Sequence, residues 1–133
     1  MRILAHYTVY KNEVFNLHIF DIAEQNVTHF PVKVETAHTL FLQGILIIAN
    51  EHITEQHIEH IHRLIEDNRE LPLNELAHTL NSYLSENRLH YSDDSTPKLL
   101  KVTFPYQRIA ILKEFLRFIY KLQQKPPFCL NLQ

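Results

Sequence analysis

Glycine and cysteine are both scarce in this sequence, which has one residue of each among its 133. Glycine-rich phosphate loops and dinucleotide-binding turns need two or three glycines close together, so neither can be present. The single cysteine, Cys129, cannot form an internal disulfide and gives no support for an oxidising compartment. Because it lies between Phe128 and Leu130 after two prolines, we interpret Cys129 as a packed tail residue.

Long hydrophobic runs are also missing. The longest, over residues 40–49, is about half of the ~20 residues that a membrane helix needs, and Gln43 and Gly44 interrupt it. The first six residues become polar too early for a signal peptide. We therefore expect a cytoplasmic protein that does not interact with a membrane.

The overall composition is that of a globular protein. Hydrophobic residues make up 45% and charged residues 21% of the chain, and the formal net charge is −2 with histidine neutral. The length predicts a single domain over residues 1–133. A charge so close to balance does not favour general binding to nucleic acid, although a local basic patch would still be compatible with it.

The N-terminal half has the alternating pattern of β-strands. Residues 1–10 and 14–22 alternate with period two, and a third strand follows over 27–35. Residues 39–49 are apolar on both sides and predict a central strand with a bulge or turn at Gln43-Gly44. A short strand is expected at 99–104.

The apolar rows also predict the strand registers. A three-residue loop at 11–13 would pair residues whose numbers sum to 24, which sets His6 opposite His18. A sum of 49 for the next pair sets Phe30 beside Ile19 and His29 opposite Phe20. Pro31 has no N–H, so the third strand must be an edge or a bulged strand.

Helical signals begin at Thr54, a predicted N-cap followed by a helix that ends near Asn68. Pro72 begins a second helix, and a third runs from about 105 or 106 to 124 before two prolines. The predicted fold class is α+β: an antiparallel sheet of four to five strands, starting with an N-terminal meander, packed by two middle helices and a long C-terminal helix.

The predicted C-terminal helix is apolar over about half of its circumference, more than one sheet face can cover. The excess must meet the other helices, the tail or a second subunit. We therefore predict a homo-oligomer, by default a C₂ dimer. The predicted contact residues are Phe115, Phe118, Ile119 and Leu122, with Phe20 on the exposed sheet face.

Ten histidines make this residue type unusually common. With the registers above, His6, His18 and His29 share the outward sheet face. Three neutral imidazoles could bind zinc or a similar divalent ion, or could act together as a proton-sensitive patch. The alternatives are outward polar residues without a ligand, or a surface that contacts a partner.

A second group of histidines, together with three glutamates, lies within residues 51–62. Zinc hydrolases of the H-E-x-x-H kind place two histidines four residues apart on one helix. Here the helical spacings are three between His57 and His60, two between His60 and His62, and five between His57 and His62. A solvated helix face is therefore the favoured interpretation.

A basic row could contact phosphates. Its members recur every four residues along the predicted last helix: Lys113, Arg117, Lys121 and Lys125. The alternative is the wet side of an amphipathic helix, whose side-chain stems cover apolar surface.

No catalytic or cofactor signature is recognisable, and no serine follows a strand-to-helix elbow with glycines around it. The sequence therefore favours a non-catalytic interaction or regulatory module that acts as a homo-oligomer, without a cofactor. Metal binding or histidine-based activity at His6, His18 and His29 is the alternative. Nucleic-acid binding through the basic row is the third hypothesis.

Overall fold

The fold of the protein was analysed in a computed structural model, which describes residues 1–32, 39–103 and 129–131, the last three by their backbone alone. The elements are β1 Arg2–Tyr10, β2 Glu13–Asn16, β3 His18–Ala23, β4 Asn26–Pro31, β5 Thr39–Ala49, α1 Glu55–Asp67, α2 Leu73–Glu86, β6 Lys98–Thr103 and β7 Cys129–Asn131. This confirms a mixed α+β chain with a multi-stranded sheet and two middle helices. The predicted C-terminal helix over 105–124 lies outside the described residues.

The described strands form one mixed sheet in the order β4-β3-β1-β5-β6-β7, and β2 pairs with β1 beside β3. Strands β1 and β5 run parallel, whereas the other pairs are antiparallel. The predicted antiparallel sheet of four to five strands is therefore wrong in strand direction and in strand number. Cys129, interpreted as a tail residue, begins β7.

The turn between β1 and β2 is one residue shorter than predicted. Tyr10 pairs with Glu13, and the two residues between them, Lys11 and Asn12, have φ angles of 47° and 66°. Two successive positive φ angles form the tight hairpin turn that follows the twist of the strands. Paired residue numbers consequently sum to 23 instead of 24, as in Tyr7 with Asn16, so the predicted pairing of His6 with His18 is wrong.

The register between β3 and β4 is the predicted one. Ile19 pairs with Phe30, and Phe20 pairs with His29. Pro31 ends β4, which is the outermost described strand on that side of the sheet. The prediction that this proline requires an edge position is confirmed.

The predicted bulge in β5 is present. The pairing with β1 slips by one residue between Ala5 and Tyr7, where β5 passes through Gly44 at φ 149°. Leu17 has a φ of 52° and separates β2 from β3. Both irregularities lie near His6, whose carbonyl accepts a hydrogen bond from the Leu17 N–H at 3.1 Å.

Helix α1 begins and ends as predicted, and α2 begins as predicted after Pro72. Thr54 caps α1, because its hydroxyl accepts from the His57 N–H and its own N–H donates to His57 Nδ1 at 3.0 Å. The predicted stripe of α1 is buried, as is that of α2: Ile58, Ile61, Ile65, Leu76, Leu80, Tyr83 and Leu84. No helix in the described parts of the chain is long and apolar enough to cross a membrane.

Two hydrophobic clusters lie on opposite faces of the sheet. The first joins the helices to β1, β5 and β6 through residues such as Val9, Ile45 and Ile47. The second contains Ile3, Phe20 and other strand residues, together with Tyr91. We call the side of the first cluster the helix-bearing face and the side of the second cluster the opposite face.

Candidate functional site

The structure brings together two of the three histidines predicted to form a metal site. His18 on β3 and His29 on β4 are diagonal neighbours in the register, and their Nδ1 atoms lie 3.3 Å apart. His29 is exposed and His18 is partly buried. His6 is not part of this pair, since the turn at Lys11-Asn12 and the irregularity at Leu17 displace it from His18.

Aromatic rings surround the histidine pair. Phe15 lies with its ring centroid 5.0 Å from His18 and 4.8 Å from His29, and Phe20 stacks on His29 at 5.0 Å. Tyr10 contacts both Phe20 and His29. Because aromatic contacts on several sides restrict ring rotation, the two imidazoles are held in a defined mutual orientation.

The environment of His18 favours the uncharged imidazole. Burial lowers the pKa of His18 from its ordinary value, and the positive charge that His29 can acquire lowers it further. A neutral ring carries one N–H, so facing Nδ1 atoms can share one hydrogen bond, in which one atom donates and the other accepts.

His6 lies instead at a cleft on the helix-bearing side. The cleft has a volume of about 1050 Å³, and its described lining comprises His6, Gln43, Gly44 and residues 66–73 between the helices. The Nδ1 atom of His6 is buried and has no hydrogen-bond partner among the described residues. Its ring meets the edge of Phe41 in a T-shaped contact at 5.4 Å.

An apolar row crosses the four strands β4, β3, β1 and β5. The cross-strand pairs place Phe30 beside Ile19, Ile19 beside Leu4, and Leu4 beside Phe41. Directly paired residues share a face, so these four side chains, which we call the apolar row, point the same way.

The apolar row lies on the helix-bearing face. The neighbouring row contains Ile3 and Phe20, which belong to the cluster on the opposite face, and successive strand residues point to opposite faces. Phe41 is 53% exposed and Phe30 is 38% exposed, so described residues leave both ends of the row open.

Charges next to the apolar row are partly compensated within the chain. Arg2 pairs with Asp21 at 3.3 Å, and its guanidinium lies 6.0 Å from the centre of the Phe30 ring. The amino terminus of Met1 lies 3.7 Å from the same carboxylate. This end of the sheet therefore combines exposed aromatic side chains with two positive groups that share one carboxylate.

A serine–histidine pair that the sequence did not indicate joins the β1–β2 turn to the end of α2. Ser85 Oγ lies 3.1 Å from His90 Nε2 and donates a hydrogen bond to Asn12 Oδ1, while the Asn12 N–H points at His90 Nδ1 from 3.3 Å. Nδ1 must therefore accept, so the ring hydrogen is on Nε2 and faces the serine oxygen. A serine nucleophile needs the reverse arrangement, with a hydrogen-free Nε2 that can remove its proton. The pair holds the turn in place.

The burial of His90 beside the β1–β2 turn predicts that the protein loses stability in weak acid. Burial lowers the pKa of His90, so the unfolded chain binds more protons than the folded one below about pH 6.5. We expect the free energy of unfolding to fall as the pH decreases from 7.5 to 5.5. His90→Asn, whose side-chain oxygen can replace Nδ1 as acceptor, should lose less over this range in urea titrations. An equal loss in wild type and His90→Asn would contradict the prediction.

Of the four histidines in residues 51–62, His52 and His60 are exposed, which agrees with the favoured interpretation, whereas His57 and His62 are partly buried. His57 completes the cap of α1, His60 contacts the ring of Tyr83 at 5.2 Å, and exposed His52 lies 3.8 Å from Glu51. Among the described residues, no group of three or more histidine, cysteine or acidic side chains is arranged to hold a metal ion.

The predicted contact residues fall into two groups. Phe20 is fully buried within the chain and offers no surface to a partner. The other contact residues, and the whole basic row, lie outside the described residues: Phe115, Phe118, Ile119, Leu122, Lys113, Arg117, Lys121 and Lys125.

Comparison of the chain with protein-family models, with curated proteins and with solved structures finds no match in any of the three. Functional inference therefore rests on the chemistry of the surfaces described above.

Proposed function

We propose that this protein is a non-catalytic interaction module that acts as a homodimer, with the exposed ends of the apolar row, Phe30 and Phe41, in its contact surface. The observation that carries the proposal is the exposure of Phe30 and Phe41 at the two ends of a row that crosses four strands. Single exposed apolar residues are common on protein surfaces, so the proposal depends on the presence of two exposed aromatic side chains on one face of the sheet.

The packing of the helices explains why this surface is open. Helix α2 packs on β1, β2 and β5 at the end of the sheet that contains Val9 and Ile47. The apolar row lies at the other end of the same face, and the cleft lined by residues 66–73 separates it from the helices. Covering Phe30 and Phe41 would remove apolar area from water, which contributes about 25 cal/mol per Å².

A second copy of the chain is the partner that the charges favour. In a C₂ dimer each surface meets its own equivalent, so a surface with one sign of charge repels itself. The apolar row has no charged member, and the neighbouring Arg2 is already paired with Asp21. A self-contact at this row therefore places no charged member of the row opposite its own copy.

The proposal of a non-catalytic role is supported by the Ser85–His90 pair. In the described part of the chain, Ser85 and His90 are a serine and a histidine in contact, as nucleophilic catalysis by serine requires. The direction of their hydrogen bonds opposes removal of the serine proton. The single cysteine gives no reason to place the protein outside the cytoplasm, which we retain as the proposed location.

Replacing Phe41 tests the proposed dimer. Full burial of such a ring contributes about 1.5–3 kcal/mol, and about half of Phe41 is already covered. Because Phe41 occurs twice in a C₂ contact, Phe41→Ser should weaken self-association about 10- to 100-fold. Sedimentation or light scattering over a concentration series would measure this effect.

Leu40→Ser is the matched control. Leu40 is the neighbour of Phe41 on β5 and is 45% exposed, but it pairs with Ile3 and points to the opposite face. It should therefore leave the dimer unchanged, and thermal melting should confirm that both variants fold. Equal weakening by the two substitutions, or none by Phe41→Ser, would rule out the apolar row as the contact surface.

Two further hypotheses from the sequence stay predictions. Contacts through Phe115, Phe118, Ile119 and Leu122 would add to a dimer surface. Nucleic-acid binding through Lys113, Arg117, Lys121 and Lys125 would show an affinity that falls steeply with salt.

A further inference from the structure

The opposite face of the sheet has a feature that the proposed dimer does not use. The Nδ1 atoms of His18 and His29 face each other at 3.3 Å on the outer strands β3 and β4. An N–H···N hydrogen bond is one use of this geometry. The same geometry also suits a metal ion, because both atoms offer a lone pair when their ring hydrogens are on Nε2.

The separation of the two nitrogens can be compared with that at a metal centre. Imidazole nitrogens bind zinc at about 2.0–2.1 Å with tetrahedral angles, so two such ligands lie about 3.3–3.4 Å apart. The observed distance of 3.3 Å matches this separation. An ion would bind both nitrogens from a position beside the line that joins them.

The rings around the pair would assist such a site. Phe15 and Phe20 contact both imidazoles, with centroid distances of 4.8–6.4 Å, and so restrict their rotation. Ligands that are already oriented lose less freedom on binding, and an apolar shell strengthens metal–ligand interactions. His29 is exposed, which gives an ion access from solvent.

We propose that His18 and His29 form a two-histidine site for a divalent transition metal of the zinc class, with Nδ1 of each ring as the ligand. Imidazole binds zinc, copper and nickel well, whereas magnesium and calcium prefer oxygen ligands. No third histidine, cysteine or acidic residue in the described ranges completes a protein cage, so water fills the remaining positions. The site corrects the predicted three-histidine set, from which it omits His6.

Calorimetric titration of the full chain with zinc chloride tests this site. We expect His18→Ala and His29→Ala each to weaken zinc binding at least tenfold, since a single imidazole remains in each variant. His78→Ala removes an exposed histidine remote in sequence from the pair and should bind zinc like the wild type. Magnesium should not compete. Equal zinc affinity in all four proteins, or no zinc binding by the wild type, would overturn the proposal.

If a substitution prevents folding, the site can still be tested in the wild type by following its imidazole NMR signals during a zinc titration. Substoichiometric zinc should shift the His18 and His29 ring signals before those of the other histidines. Zinc that first shifts other ring signals would overturn the proposal. A dimer that persists in a chelator would leave the apolar-row proposal intact, because the two surfaces lie on different faces.

Discussion

Replacement of Gly44 by alanine should destabilise the protein by about 4 kcal/mol. A Cβ atom at this position would lie 2.0 Å from the carbonyl oxygen of Val102 and 3.1 Å from Cα of Thr103, both on the paired strand β6. These are backbone atoms, so no side chain can rotate away. The φ of 149° adds strain for any residue with a Cβ. Overpacking and backbone strain each cost about 1–3 kcal/mol, which together give this estimate.

Urea unfolding of Gly44→Ala beside Gln43→Ala would check this expectation. Gln43 is the exposed neighbour in the same bulge, and its replacement should change the free energy of unfolding by less than about 0.5 kcal/mol. If Gly44→Ala were as stable as Gln43→Ala, the close approach of β5 and β6 at this bulge would be wrong.

Replacement of Asn50 by alanine should cost about 3 kcal/mol. Its amide donates to the carbonyls of Arg88 and His90 at 3.0 and 3.1 Å, and its side-chain oxygen accepts from the His52 N–H at 2.9 Å. The residue is buried at the end of β5, so alanine would remove three hydrogen bonds that each contribute about 1 kcal/mol.

The matched control for Asn50 is Asn74, an exposed residue in the first turn of α2. Asn74→Ala should shift the free energy of unfolding by less than about 0.5 kcal/mol. A loss below 1 kcal/mol for Asn50→Ala would mean that water replaces its bonds and that Asn50 does not fix the connection to Leu89 and His90.

The parts of the fold that could be predicted from sequence depend on local signals. Thr54 caps a helix through its own neighbours, and Pro31 identifies an edge strand because its nitrogen cannot donate. The alternating apolar residues then specify the register of β3 and β4. Each of these inferences needs only residues close in sequence or on adjacent strands.

The errors arose where one residue changes a register or where distant strands meet. Lys11 and Asn12 form a two-residue turn although neither is glycine, and this single residue of difference moves His6 away from His18. Alternation with period two does not reveal strand direction, so the parallel pairing of β1 with β5 could not be distinguished from an antiparallel one. The apolar row depends on this parallel pairing, since it brings Phe41 beside Leu4.

The Asn12–Ser85–His90 contacts had no signal in the sequence. Asn12 lies in a turn and Ser85 near the end of α2, 73 residues later, and both are common surface residue types. By contrast, the His18/His29 pair was found, because the register of β3 and β4 alone brings these two rings together.

The mass of the wild-type protein in solution tests the central proposal most directly. Light scattering in the presence of a metal chelator, across a wide range of protein concentrations, excludes any contribution from the histidine pair. The proposed homodimer should have twice the mass of one chain at high concentration, with a shift to the single-chain mass on dilution. A single-chain mass at every concentration would contradict the proposed homodimer.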